Sequence, residues 1–270
     1  MRGGLAGALI VVTFVAAGWG GSAFGGQAPK GITAAGAVSH VRAGPTGDDG
    51  PTITIVDGTA TVGSSTSPSA LHGARGAARL FKGIPQNGLV LGRRTAPVML
   101  IEYVDLQCPV CATFEKTEMA PLVNKYVRPG KLKIKMQPWN ILDGVTGGYD
   151  SLRGQEATIA AARQDKAFNF ARVLYDNQGD EGTGWMNDAM ISKIAASVDG
   201  LRPYKLAEDA NRWVTRRVIK AIAHWAVTHP KQMIGTPTLY LAHRGKAPKY
   251  YGTGVPQLAN LEAAIDALLK

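Results

Sequence analysis

Cysteine is the scarcest informative residue here. The 270 residues hold only two, in the stretch Asp105-Leu106-Gln107-Cys108-Pro109-Val110-Cys111. A scaffold stapled by several disulfides is therefore excluded, and a hydrophobic core must hold the fold. A four-coordinate zinc centre lacks its second cysteine pair. Of five histidines only His224 and His229 have a spacing a metal could use, and packing beside Trp225 explains His224 as well. No metal is expected. Acid is also short, with 20 Asp and Glu against 30 Lys and Arg and a net charge of +10. Such a balance suits an anionic partner, whether nucleic acid, lipid surface or cell-wall polymer. Yet there is no run of five like charges, and the cations are spread along the chain. No phosphate-tracking stripe is legible, and no nucleic-acid partner is expected.

Long apolar runs are absent beyond the first residues. Residues 1–26 combine Arg2, an apolar stretch from Leu5 to Ala17 and small residues from Gly21 to Gly26. This is the grammar of an export signal, with an uncleaved N-terminal anchor as the alternative. Either way the body is expected outside the cytoplasm: periplasm, cell envelope or secreted.

Residues 27–80 are rich in Gly, Ala, Ser, Thr and Pro and read as a tether. Within it "TITIVDGTATV", residues 52–62, carries a hairpin signal at Asp57-Gly58. From residue 81 to 270 the texture is that of one α/β domain. "PVMLIEYVD" is a near-continuous apolar run, as in a strand buried on both faces. "CPVCATFEKTEMAPLVNKYV" has helical spacing, with Phe114, Met119, Leu122 and Val123 on one face and a kink expected at Pro121. "KLKIKMQPW" alternates, placing Leu132, Ile134 and Met136 on one side. Together these make a βαβ unit. Helical patterns fill about 151–229, and "TPTLYLAHRGKAPKYYGTG" then reads as two strands turning at Arg244-Gly245. An amphipathic helix closes the chain. The order is βαβ, a helical insertion, then ββα.

As a staple the Cys108–Cys111 pair would achieve little. A four-residue loop constrains the unfolded chain by roughly 2 kcal/mol, against almost 5 for a loop of a hundred residues. Its position is more telling. Cys108 falls between a strand and the start of a helix, where free N–H groups and the helix dipole favour a thiolate. Cys111 lies one turn on, in reach of a mixed disulfide at Cys108. Pro109 suits the first helical turn. Glu102, inside so apolar a strand, shares a face with Leu100 and Val104. It is either a partly buried acid that exchanges a proton with Cys111 or a sheet-edge residue paired with a lysine. Asp105 reads as local capping.

"LIEYVDLQCPVC" at a strand-to-helix junction, "IGTPTLYL" far downstream and the helical block between them resemble the DsbA-like thiol:disulfide oxidoreductases of the thioredoxin superfamily. The resemblance spans about Phe81 to Lys270. It implies a thioredoxin-like fold with an inserted helical subdomain, Cys108 as nucleophile and Cys111 as resolving cysteine. Thr236 and Pro237 would form the substrate-facing cis-proline turn, Glu102 would be the acidic partner, and the redox-active disulfide would be the sole redox group, without a separate cofactor. It also implies exported protein substrates bearing thiols or disulfides, and a membrane redox partner for reoxidation. Val110 departs from the pattern, since strongly oxidising members often carry histidine there. Val110 offers no charge to a thiolate, so a milder oxidant is expected. Disulfide formation in exported proteins is the leading expectation. A disulfide isomerase or reductase, and a non-catalytic chaperone-like binding module, are the alternatives. Trp139 and Tyr251 either line the groove or merely pack.

Overall fold

The computed structural model describes residues 50–56, 58–229 and 234–270. The export or anchor segment and the start of the tether lie outside the described residues. One six-stranded sheet organises the rest, in the order β1 (Gln86–Asn87), β2 (Val90–Leu91), β4 (Leu132–Pro138), β3 (Val98–Val104), β5 (Thr238–His243) and β6 (Lys249–Thr253). β3 and β4 run parallel, and every other pairing is antiparallel. A parallel pair needs a crossover, and the helices after β3 supply it.

The expected face assignments hold. Glu102 lies opposite Met136 on β4 and Leu239 on β5, so Leu100, Glu102 and Val104 share the face that carries Leu132, Ile134 and Met136. α2 (Pro109–Thr117), α3 (Met119–Leu122) and the last helix, α10 (Leu258–Leu268), cover that face through Phe114, Leu122 and Leu261. The opposite face presents Ile101, Tyr103 and Tyr240 to α9 (Trp213–Thr228). There Tyr103 stacks on Trp225 at 4.8 Å and Tyr240 meets the same indole edge-on. His229 stacks on Trp225 at 4.1 Å, so packing accounts for it.

The helix after Cys108 breaks earlier than the sequence suggests. α2 ends at Thr117, α3 begins at Met119, and a π-helical turn, Val123–Val127, follows. A proline ring clashes with the carbonyl four residues before it, which for Pro121 is that of Thr117. The interruption therefore falls upstream of the proline itself.

Between β4 and β5 lie α4 (Asp143–Thr146), α5 (Asp150–Ala162), α6 (Ala167–Asp176), α7 (Asp188–Ala196), α8 (Pro203–Ala210) and α9. α5 is buried along its whole length. At Gly154 an added Cβ would stand 2.6 Å from Cβ of Leu106, so the glycine lets this helix press directly on the loop before Cys108.

The hairpin expected over 52–62 is not formed among the described residues, and the later part of the supposed tether is packed. Ile53 and Ile55 alternate inward, as in a strand, but no strand pairs with them. Their backbone is held by side chains of the helical insertion instead. Asn211 takes the Ile53 N–H at 2.9 Å and donates to its carbonyl at 2.8 Å. Asp188 accepts from Thr54 N–H and Ser192 Oγ from Val56 N–H. Farther on, Gly63 N–H donates to the Leu201 carbonyl at 2.7 Å. A Cβ at Gly63 would collide with the Ala195 and Val198 carbonyls. The segment is a strap across α7 and α8, and it leads into a helix, α1 (Ala74–Phe81).

A strap and a tether respond differently to mutation. Ile53→Ala is expected to destabilise the protein by about 2–5 kcal/mol in urea unfolding, as for a buried aliphatic side chain. Wild-type stability would identify a tether.

Candidate functional site

Cys108 is the N-cap of α2, with extended backbone, and Pro109 fills the first helical position. Both sulfurs are free thiols. Cys108 is 6% exposed, Cys111 is 1% exposed one turn inside, and Val110 between them is 43% exposed. Across from Cys108 is the turn into β5, where the Thr236–Pro237 peptide bond is cis. Thr236 O lies 3.6 Å from Cys108 Sγ and accepts its S–H. The structure thus brings Cys108, Pro109, Val110, Cys111, Thr236 and Pro237 together, although 128 residues separate Cys108 from Thr236.

The two sulfurs differ electrostatically. Cys108 is lowered from 9.0 to about 7, first because the Cys111 S–H donates to it, against the opposing effect of burial. The Thr236 side chain and the N–H groups of Cys111 and Val110 add to the lowering. Val110 thus contributes its backbone dipole and no side-chain charge. Cys111 is pushed well above the usual thiol range, first by burial and then by its bond to Cys108 and the charge there. These are the properties wanted of an attacking thiolate and of a thiol held in reserve.

Glu102 lies beneath α2, 1% exposed, and neither carboxylate oxygen has a hydrogen-bond partner. Burial pushes it from 4.5 up to about 8. The alternative of a sheet-edge glutamate paired with a lysine fails, because β3 is central in the sheet and no ion pair is made. At neutral pH it carries a proton.

The sequence reading missed Glu115. It sits four residues after Cys111, on the same helical face, and is 3% exposed. Burial raises it well above the carboxylate range, the charge of Glu102 raises it further, and the Arg172 guanidinium acts against both. Arg172 Nη1 is held at the Glu115 carbonyl, 2.8 Å away. Cysteine-plus-four spacing on an inward face was the available signal.

Asp105 does more than cap. Its Oδ1 accepts from Gln107 N–H at 3.0 Å, its Oδ2 accepts from Leu142 N–H at 2.9 Å, and Ser151 Oγ lies within 2.8 Å of both oxygens. Gln107 Nε2 donates in turn to Asp143 Oδ1 at 2.9 Å and Ser151 Oγ at 2.6 Å. Tyr175 OH donates to the Asp105 carbonyl. Burial drives Asp105 up to about 8, against the Leu142 and Gln107 N–H groups and the Ser151 hydroxyl, while the Cys108 charge adds to the rise. This buried network ties the loop before Cys108 to α4, α5 and α6. Partners so distant in sequence carry no local pattern.

Trp139 packs on the Tyr103–Tyr240 side of the sheet and Tyr251 against the main core. Among the described residues, no group of three His, Cys, Asp or Glu could hold a metal ion.

The family model described as "Thioredoxin" matches residues 85–266. "Probable disulfide bond formation protein D" of Bacillus cereus is 29% identical over 106 residues, which are 38% of this chain and 47% of that protein. The chain therefore spans about half the length of that relative. Among solved structures, oxidised BdbD from Bacillus subtilis superposes with a TM-score of 0.57 at 20% identity, covering 69% of this chain and 96% of that one. The alpha-DsbA1 of Wolbachia pipientis gives 0.55 at 19%, covering 68% and 91%. At those identities the likeness is one of fold.

The Glu102 carboxyl generates a stability prediction. The folded protein binds its proton more tightly than the unfolded chain does, so this group's contribution falls as pH rises from about 4.5 to about 8. Glu102→Gln is expected to match wild type below that window and to unfold at higher urea above it. A variant less stable than wild type above pH 8 would contradict this description.

Proposed function

The chain belongs to the thioredoxin family, and from that premise we propose that it is a thiol:disulfide oxidoreductase acting through Cys108 and Cys111. The observation that carries the proposal is the placement of Cys108 at the start of α2 and 3.6 Å from the Thr236 carbonyl, one helical turn before the buried Cys111. In the oxidising direction a substrate thiolate attacks Cys108 Sγ of the Cys108–Cys111 disulfide. The Cys108–Cys111 bond breaks, a substrate–Cys108 bond forms, and Cys111 leaves as a thiolate. Glu102, protonated and buried, gives Cys111 a proton. A second substrate thiolate then attacks the substrate sulfur of the mixed disulfide and expels Cys108. Two electrons have passed to the protein. Of the two protons the substrate thiols released to solvent, one restores Glu102 and the other is taken up by Cys108 below its ionisation near 7 and stays in solvent above it, and no cofactor beyond the cysteine pair takes part. The open edge of the Thr236–Pro237 turn holds the substrate backbone beside Cys108.

Disulfide formation in exported proteins is the physiological direction we propose, outside the cytoplasm, with a membrane redox partner restoring the disulfide. The sequence supports this through the signal-like residues 1–26, and the relative's name through the words disulfide bond formation. A Cys108 thiol near 7 stabilises the reduced form only moderately, in keeping with Val110 at the variable position and a mild oxidant.

Trapping tests the assignment. Cys111→Ala is expected to accumulate mixed disulfides at Cys108 when expressed in its host, because the resolving thiol is gone. Cys108→Ser is expected to lose about a thousandfold or more of activity on a reduced protein substrate. Retained activity in Cys108→Ser would favour a binding module. Direction is read separately: faster recovery of a scrambled than of a reduced substrate would assign an isomerase.

A further inference from the structure

The cations that look scattered along the chain are gathered by the fold. The β2–β3 loop carries Arg93 and Arg94, the start of β4 carries Lys131 and Lys133, and the β5–β6 turn carries Arg244 and Lys246. The register places all three at one end of the sheet, since Val98 pairs with both Leu132 and His243. Direct contacts confirm the convergence. Lys133 Nζ donates to the Arg94 carbonyl at 3.0 Å. Arg244 N–H donates to the Pro97 carbonyl at 2.7 Å and its Nη1 to the Thr95 carbonyl at 3.4 Å. Arg93 packs against Gly130. All six cations are exposed or half-exposed. None takes part in an ion pair among the described residues.

The stretches 89–101, 126–137 and 240–251 contain no acidic residue. On the flank, α10 brings Glu262 and Asp266 near, but Glu262 is held by Lys125 at 2.8 Å and Asp266 faces Tyr126. This end is also the one away from the redox site. Cys108 lies four residues past the last residue of β3, and the cations surround its first, so about 20 Å of strand separates the two ends.

We propose that this end of the sheet docks on a membrane surface of anionic phospholipid. The chemistry selects an extended negative surface over a single anion. The donors are spread over three loops and stand in solvent, with none buried and aimed at a common centre. The loop tips at 93–95, 128–133 and 243–249 also contain no Phe, Tyr or Trp on which a base could stack, and Tyr250 just beyond them is packed against Tyr240. Each cation brought to an anionic bilayer strengthens partitioning by roughly fivefold at low salt. Docking this way leaves Cys108, Val110 and the Thr236–Pro237 turn facing away from the lipid. The proposal is independent of the redox assignment.

The test uses the full chain in co-sedimentation with two kinds of vesicle, phosphatidylcholine alone and phosphatidylcholine with phosphatidylglycerol. Any binding through the apolar N-terminal residues is common to both kinds and to all variants, so the anionic-dependent increment is what is read. We expect a salt-sensitive increment that falls tenfold or more in Lys131→Glu/Lys246→Glu. It should be largely kept in Lys193→Glu/Arg202→Glu, which changes the net charge equally at exposed positions on the helical insertion. No increment on phosphatidylglycerol, or equal loss in both double variants, would overturn the proposal. Unchanged thiol-exchange activity in both variants shows that they are folded.

Discussion

One helical turn separates Cys108 from Cys111, and that turn carries one sulfur from the rim of the protein into its interior. Cys108, at the N-cap, still meets unpaired N–H groups, the Cys111 S–H and Thr236. Cys111 meets the core. The helix N-terminus alone would favour the thiolate at both positions to some degree. Burial reverses the sign at the second, because desolving a charge outweighs the dipole within a single turn. The dithiol is therefore polarised before any substrate arrives.

The surroundings maintain that polarisation. The helix start cannot drift, because Asp105 and Gln107 fasten the preceding loop to α4 and α5, and Gly154 brings α5 against Leu106. Glu102 on β3 and Glu115 on α2 bring two carboxyls into the core, both raised by burial. Unpartnered buried acids weaken a fold. In the proposed exchange, the part given to Glu102 as proton donor to Cys111 supplies a reason for tolerating that cost. The helical insertion is held in its turn by the strap around Ile53 and Ile55, which lies before the residues that the family model matches.

Much of this was legible in the sequence where the signal is local. The apolar run of β3, the alternation of β4 and the cysteine spacing each belong to a single element, and period alone places them. The face shared by Leu100, Glu102 and Val104 follows from the same rule. What stayed illegible depends on partners far away in the chain. Asp105 looked like a cap because Leu142 and Ser151 cannot be paired with it by pattern. Residues 52–62 alternate like a hairpin, but Asn211, Asp188 and Ser192 take the backbone bonds that a second strand would have taken. The cationic end of the sheet was invisible for the same reason, since its residues come from three segments that only the register unites.

The pH dependence of the reduction potential of the Cys108–Cys111 pair tests the account most directly. A dithiol that takes up two protons with two electrons changes by about 59 mV per pH unit, and one that takes up a single proton by about 30 mV. With Cys108 ionising near 7 and Cys111 remaining protonated well beyond it, the slope is expected to pass from the first value to the second around neutrality and to hold there. A single slope of about 59 mV continuing to pH 9 would mean that Cys108 is an ordinary thiol, and the polarised pair would be contradicted.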